Sequence, residues 1–140
     1  MKNNNSYLAF SFSKGFMSPN IPIATFNQGS KELNFIIDTG SDENVIDKES
    51  LKDIKYEMVE DKSTLAGVGG VYQVDACSIT FNLGDDTFTT KFLISEHLQE
   101  AFNNLREAHA IQLHGMLGSN FLRSNNIVLN FNNLTAYNQK

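Results

Sequence analysis

The stretch NFIIDTGSDENVID, residues 34–47, runs three apolar residues, Phe35-Ile36-Ile37, straight into the carboxylate of Asp38 and then into a turn. A charge at the end of such a run is costly unless it is paired or hydrogen-bonded. Asp-Thr-Gly alone reads as a surface turn, since all three residues favour turns. Here the apolar run before it and Val45-Ile46 after it place the turn inside the protein. A carboxylate held there can be fixed by backbone N–H and hydroxyl donors, which suits an acid or a base. Calcium is the rival explanation, because Asp38, Asp42, Asn44 and Glu49 are all oxygen donors. An EF-hand loop needs a ligand at its third position and glycine at its sixth, where Gly40 and Glu43 stand, so that pattern fails.

The chain of 140 residues is long enough for one core and too short for two, so a single domain over 1–140 is expected. Its 16 acidic and 11 basic residues leave a net charge of -5, with no electrostatic footprint for nucleic acid or an anionic membrane. The lone cysteine, Cys77, has no internal partner and reads as a small buried residue on a strand. His97, His109 and His114 come with no cysteine pair and no i,i+4 spacing, so no metal site is expected. The start, MKNNNSYLAFSF, is neither a signal peptide nor long enough to span a membrane. The expected location is the cytoplasm.

Most of the chain reads as strands. YLAFSF (7–12), IPIATF (21–26) and LNFII (33–37) are β-rich runs separated by Ser, Pro, Asn and Gly. Between Val71 and Ile94, Cys77, Ile79, Phe81 and Leu83 alternate with polar residues, Gly84-Asp85 turns the chain, and Phe88, Phe92 and Ile94 alternate back. That is a half-buried hairpin. Over about 96–108 the period changes: Leu98, Ala101, Phe102 and Leu105 fall at helical spacing, with Ser95 placed to cap the start and Arg106 near the end. A second short helix is expected near 119–124, followed by IVLNF and LTAY around an Asn-Asn turn. The fold class is all-β with one inserted helix.

Two further motifs stand out. In AGVGGV, residues 66–71, three glycines around one valine imply a sharp turn or a close approach. A phosphate cradle would need a following helix, whereas a strand follows. A plain hairpin tip and a mobile cover over a cleft both fit. In MLGSNFL, residues 116–122, two apolar residues before Gly118 permit a tight crossing of chains in a core.

Together and in this order, the three motifs resemble those of the retropepsins, the single-domain aspartic proteases typified by retroviral protease. Asp38-Thr39-Gly40-Ser41-Asp42-Glu43-Asn44-Val45-Ile46 resembles the family's Asp-Thr-Gly-Ala-Asp-Asp-Thr-Val-Leu run, Gly67-Val68-Gly69-Gly70 its flap tip, and Met116–Leu122 its Ile-Ile-Gly-Arg-Asn-Leu-Leu segment. The resemblance covers about residues 20–137 and implies a half-barrel with a flap hairpin. It departs from the viral pattern at Ser41, in place of alanine, at Ser119, in place of arginine, and in the inserted helix. The helix makes the chain look more like cellular or bacterial relatives.

The resemblance implies an aspartic endopeptidase with no cofactor. Two carboxyls sharing one proton supply both base and acid, because like charges at close range cannot both ionise readily. At ~4 Å and an effective dielectric of ~20 their repulsion is about 4 kcal/mol, or roughly three pK units. No second Asp-Thr/Ser-Gly exists in the chain: Asp85-Asp86-Thr87 is followed by Phe88, and Asp61 and Asp75 lack the glycine. The second acid must therefore come from Asp38 of a homodimer partner. Thr39 would hydrogen-bond across the dimer axis, Gly40 would place a backbone group near the carboxylates, and Gly67, Val68, Gly69 and Gly70 would close over an extended peptide. Asp42 and Glu43 would border the substrate channel, and the Ser41 hydroxyl would bond the carboxylate and shift activity towards acid. Two other readings stay open: an inactive dimerisation or peptide-binding module of the same fold, and a monomeric β-barrel ligand carrier.

Overall fold

The computed structural model describes residues 6–13, 21–67, 70–132 and 135–139. Ten strands form one sheet: β1 (Ser6–Ser13), β2 (Ile21–Gln28), β3 (Lys31–Ile37), β4 (Val45–Asp47), β5 (Glu57–Gly67), β6 (Gly70–Leu83), β7 (Asp86–Ser95), β8 (Gly115–Leu117), β9 (Ile127–Asn130) and β10 (Thr135–Asn138). A 3₁₀ turn (Lys48–Asp53) and two helices, α1 (Gln99–His109) and α2 (Ser119–Ser124), complete the described elements. The strand order is β5-β6-β7-β4-β8-β3-β2-β1-β10-β9. A further pairing of β6 with β2, at Asn27↔Asn82, closes β2-β3-β8-β4-β7-β6 into a six-stranded barrel. Gln28 reinforces the seam: its amide donates to the carbonyls of Thr80 and Lys55, and its oxygen accepts the Lys55 N–H.

The barrel interior is aromatic. Phe26, Phe35, Phe81 and Phe92 are fully buried, Phe88 and Phe121 nearly so, and neighbouring rings in this set lie with centroids 4.7–6.4 Å apart. Edge-to-face and offset pairs at this range add to the burial of their large apolar area. The uninterrupted run Phe35-Ile36-Ile37 is explained by a second layer. Leu33, Phe35 and Ile37 point into the barrel, while Ile36 points out and is covered, with Ile23 and Met116, by Leu98, Phe102 and Leu105 at the α1 end of the chain. A strand buried on both faces reads as continuous apolar sequence.

The expected hairpin over 71–94 is present with Gly84-Asp85 at its turn, where Gly84 takes φ +57, and α2 lies where a short helix was expected. The inserted helix begins three residues later than 96. Leu98 is its N-cap residue, and Ser95 does not cap it; the Ser95 hydroxyl accepts the His97 N–H at 3.1 Å instead. Ala101, expected on the apolar face, is exposed, because the buried stripe follows Leu98, Phe102 and Leu105. Most of the Asn-Asn turn between β9 and β10 and the flap residues Val68 and Gly69 lie outside the described residues. Among the described residues no helix is long and apolar enough to cross a membrane.

Cys77 lies on β6 with no accessible surface, and burial pushes its thiol up to about 11. Alkylation by iodoacetamide at pH 8 is expected to run about 100-fold or more slower in the folded protein than in denaturant, since the thiolate is the nucleophile. Equal rates would remove Cys77 from the core.

Candidate active site

The Asp38 loop is built by backbone, and the chain crossing behind it dictates its form. β3 and β8 run parallel with Ile37 beside Leu117, and the Asp38 N–H donates to the Leu117 carbonyl at 2.9 Å. The loop 39–44 then folds over Gly118. A β-carbon on Gly118 would stand 2.5 Å from the Glu43 carbonyl oxygen and 2.7 Å from that of Ser41, both backbone atoms. Only glycine fits this crossing. Gly115 is equally constrained, with the Val45 carbonyl oxygen 2.3 Å from the corresponding point.

The first N–H groups of a helix have no intrahelical partner. In α2 two of them are taken by the loop: Ser119 N–H donates to the Ser41 carbonyl at 2.7 Å and Asn120 N–H to that of Asp42 at 3.0 Å. The Ser119 hydroxyl adds a third bond, to the Thr39 carbonyl at 2.8 Å. From the other side Asn44, only 4% exposed, accepts the Gly118 N–H at 2.9 Å and donates to Thr90 Oγ1 and the Lys91 carbonyl. Of the three residues that hold the loop, Gly118 is legible in the sequence as a chain crossing, whereas Asn44, a candidate calcium donor and part of the Asp38–Ile46 run, and Ser119, in place of an arginine, carry no sequence signal for this bonding.

Within that frame Asp38 is half-buried, and the Gly40 N–H donates to its Oδ1 at 3.1 Å. The expected backbone donor is present. The turn itself is not interior, since Thr39 and Gly40 are exposed: the strand leaves the barrel at Ile37 and the loop emerges at its end. Ser41 also departs from expectation. Its hydroxyl donates to the Glu43 carbonyl at 2.9 Å and not to the Asp38 carboxylate, so it stiffens the turn from within.

A cleft of about 870 Å³ opens beside Asp38. Gly40, Ser41, Asp42 and Glu43 line it with Asp38, its apolar wall includes Val45, Leu93, Leu98 and Met116, and Thr64, Leu65, Ala66 and Tyr72 face it from the flap hairpin. Asp42 is exposed, and Glu43, half-buried, accepts a long bond of 3.4 Å from the Asn120 amide. Gly67 and Gly70 pair with each other at the end of the β5–β6 ladder. The structure therefore brings Asp38 and Gly40 to Glu43 together with the flap hairpin around one cavity, while Thr39 stands outside its lining. Among the described residues no group of three or more His, Cys, Asp or Glu is placed to hold a metal ion.

No family model matches the chain, and no curated protein matches it. Among solved structures it is similar to EIAV protease complexed with the inhibitor HBY-793, a retroviral protease, at 18% identity and a TM-score of 0.50, over 79% of this chain and 93% of that one. At this identity the likeness speaks for the fold, which is a retropepsin-like all-β barrel.

Gly118→Ala is expected to cost about 3 kcal/mol or more, because two backbone strands must part to admit a methyl group. Denaturant unfolding measures the loss, and amide chemical shifts over 38–44 should move with it.

His114 supplies a second test at the foot of the site. It is 3% exposed, its Nδ1 accepts the Asn34 N–H at 3.0 Å, and burial, with Lys31 as a lesser cause, lowers its pKa to about 4. The unfolded state, with an ordinary imidazole, binds the proton first, so stability is full above about pH 6.5 and falls towards pH 4, by about 3 kcal/mol in all. Burial raises the Asp47 carboxyl and pulls the other way, so the comparison with His114→Gln isolates the imidazole. That variant should lose most of the acid dependence of its unfolding free energy.

Proposed function

We propose that the protein is an aspartic endopeptidase that works as a homodimer. The observation that carries this reading is one carboxylate, Asp38, oriented by a backbone N–H at the mouth of a cleft, on a loop whose Thr39-Gly40 crest is exposed. One such acid cannot serve as base and acid at once, and the chain has no second Asp-Thr/Ser-Gly. A two-fold axis beside Thr39 would bring a second Asp38 against the first without any further sequence. The two carboxyls would share a proton and titrate as a pair.

In this reading a water held between the two carboxyls loses a proton to the ionised one and attacks the peptide carbonyl carbon. The protonated one bonds the developing oxyanion, and the amide nitrogen takes a proton as the C–N bond breaks. Gly40 keeps Asp38 in register through its N–H, and Thr39 reaches the partner loop. Asp42 and Glu43 accept bonds from the peptide backbone, and the flap Gly67–Gly70 closes over it and excludes water. The apolar wall of Val45, Leu93, Leu98 and Met116 suits substrates with an apolar side chain next to the scissile bond. The α1 insertion supports a place among cellular or bacterial relatives of the retropepsins, acting in the cytoplasm on a peptide or protein, with no nucleic acid, membrane or cofactor involved.

Asp38→Asn decides the matter. Cleavage of a mixed peptide library should drop to background, while sedimentation still reports a dimer with the wild-type mass. A wild-type protein that dimerises and binds peptides without ever cutting them points to a binding module instead. A strictly monomeric protein that binds small molecules points to a carrier.

A further inference from the structure

The segment Ser95-Glu96-His97-Leu98 carries the chain from β7 into α1 and borders the cleft through Ser95, His97 and Leu98. It is held at both ends. Ser95 is buried, pairs with Asp47 at the end of the β4–β7 ladder, and accepts the His97 N–H with its hydroxyl at 3.1 Å. Leu98 packs on the cluster of Ile23, Phe102 and Leu113. The backbone of His97 is thereby fixed to the rigid body of the barrel, while its side chain is exposed at the rim.

That side chain meets the flap. The imidazole lies with its centroid 5.4 Å from the ring of Tyr72, at an interplanar angle of 38°. Tyr72 stands two residues after Gly70, and so on the same face of β6. Its hydroxyl lies 3.9 Å from the point where a β-carbon on Gly70 would sit, which means the ring reaches back along the hairpin towards its tip. The hairpin otherwise runs to the edge of the sheet, since β5 has β6 as its neighbour and ends the strand order. Val71, beside Tyr72, is 70% exposed. A ring lying between Gly70 and a fixed wall can set the height of such a hairpin above the cleft.

We propose that His97 is a positioning residue for the flap: its ring, resting on Tyr72, holds the β5–β6 hairpin over Asp38 and sets how far the cleft closes on an extended peptide. The consequence for turnover rests on the peptidase reading; the contact itself does not. The histidine sits on the segment that leads into the inserted helix, so the insertion supplies a wall of the cleft as well as a cover for the barrel.

Hydrogen exchange of the flap amides over 63–66 and 71–74, followed in the wild type, His97→Ala, Tyr72→Ala, the double variant and His97→Phe, tests the contact. His97→Ala and Tyr72→Ala should each speed exchange about 2- to 10-fold, the range expected for losing one ring pair. The double variant should be no faster than the single ones, and His97→Phe, which keeps a ring, should restore protection. Unchanged exchange in His97→Ala, additive effects in the double variant, or no rescue by phenylalanine would overturn the proposal. In peptidase assays His97→Ala should raise KM by a similar factor with kcat held within about two-fold. An unchanged KM in an active enzyme defeats the effect on closure. A wild type that cuts no peptide defeats the peptidase reading and leaves the exchange experiment to decide the contact.

Discussion

The crossing of Gly118 beneath the Asp38 loop is the constraint on which the site depends. Two chain segments approach so closely there that no β-carbon fits, and the space is filled by backbone hydrogen bonds. The first N–H groups of α2 need acceptors and the carbonyls of Ser41 and Asp42 need donors, so each end satisfies the other. Each such bond contributes about 1 kcal/mol net, and the two act together to tie the loop to the helix start. The loop is held at Asp38, Ser41 and Asp42 before any side chain acts.

Polar side chains then tune what the backbone has fixed. Asn44 ties Gly118 to β7 through three bonds and is nearly sealed from solvent. Ser119 occupies the place where the viral pattern has arginine, and it serves its own chain by bonding the Thr39 carbonyl. Ser41 bonds the Glu43 carbonyl. These short hydroxyl and amide links stiffen the loop without adding charge. Among the described residues, the formal charges of the cleft wall are the carboxylates of Asp38, Asp42 and Glu43, with the His97 imidazole beside them. Such a wall presents hydrogen-bond acceptors to whatever donors enter the cleft.

The barrel and α1 bear on the site from opposite sides. The phenylalanine cluster inside gives β3, β8 and β4 a rigid floor, so the loop they carry has little freedom. Outside, α1 covers Ile23, Ile36 and Met116, and the segment leading into it reaches the cleft. The flap hairpin forms one edge of the sheet and carries exposed apolar residues such as Met58 and Val71. Elements with few buried contacts open at low free energy, and lids over binding sites are drawn from them.

The sequence alone determined the strand content, the inserted helix, the short helix after Gly118 and the position of the acid. Each of these is written in local periodicity or in a motif: period two over 77–94, period 3.6 over 98–105, and Asp-Thr-Gly after an apolar run. Barrel closure through Asn27 and Asn82, the burial of Asn44, the partner chosen by the Ser41 hydroxyl and the meeting of Tyr72 with His97 were decided only in three dimensions. Hydroxyls, amides and rings such as these have several partners of similar energy within reach, and no local pattern records which one they take, whether it stands two positions away, as for Ser41, or 25 and 74 away, as for Tyr72 and Asn44.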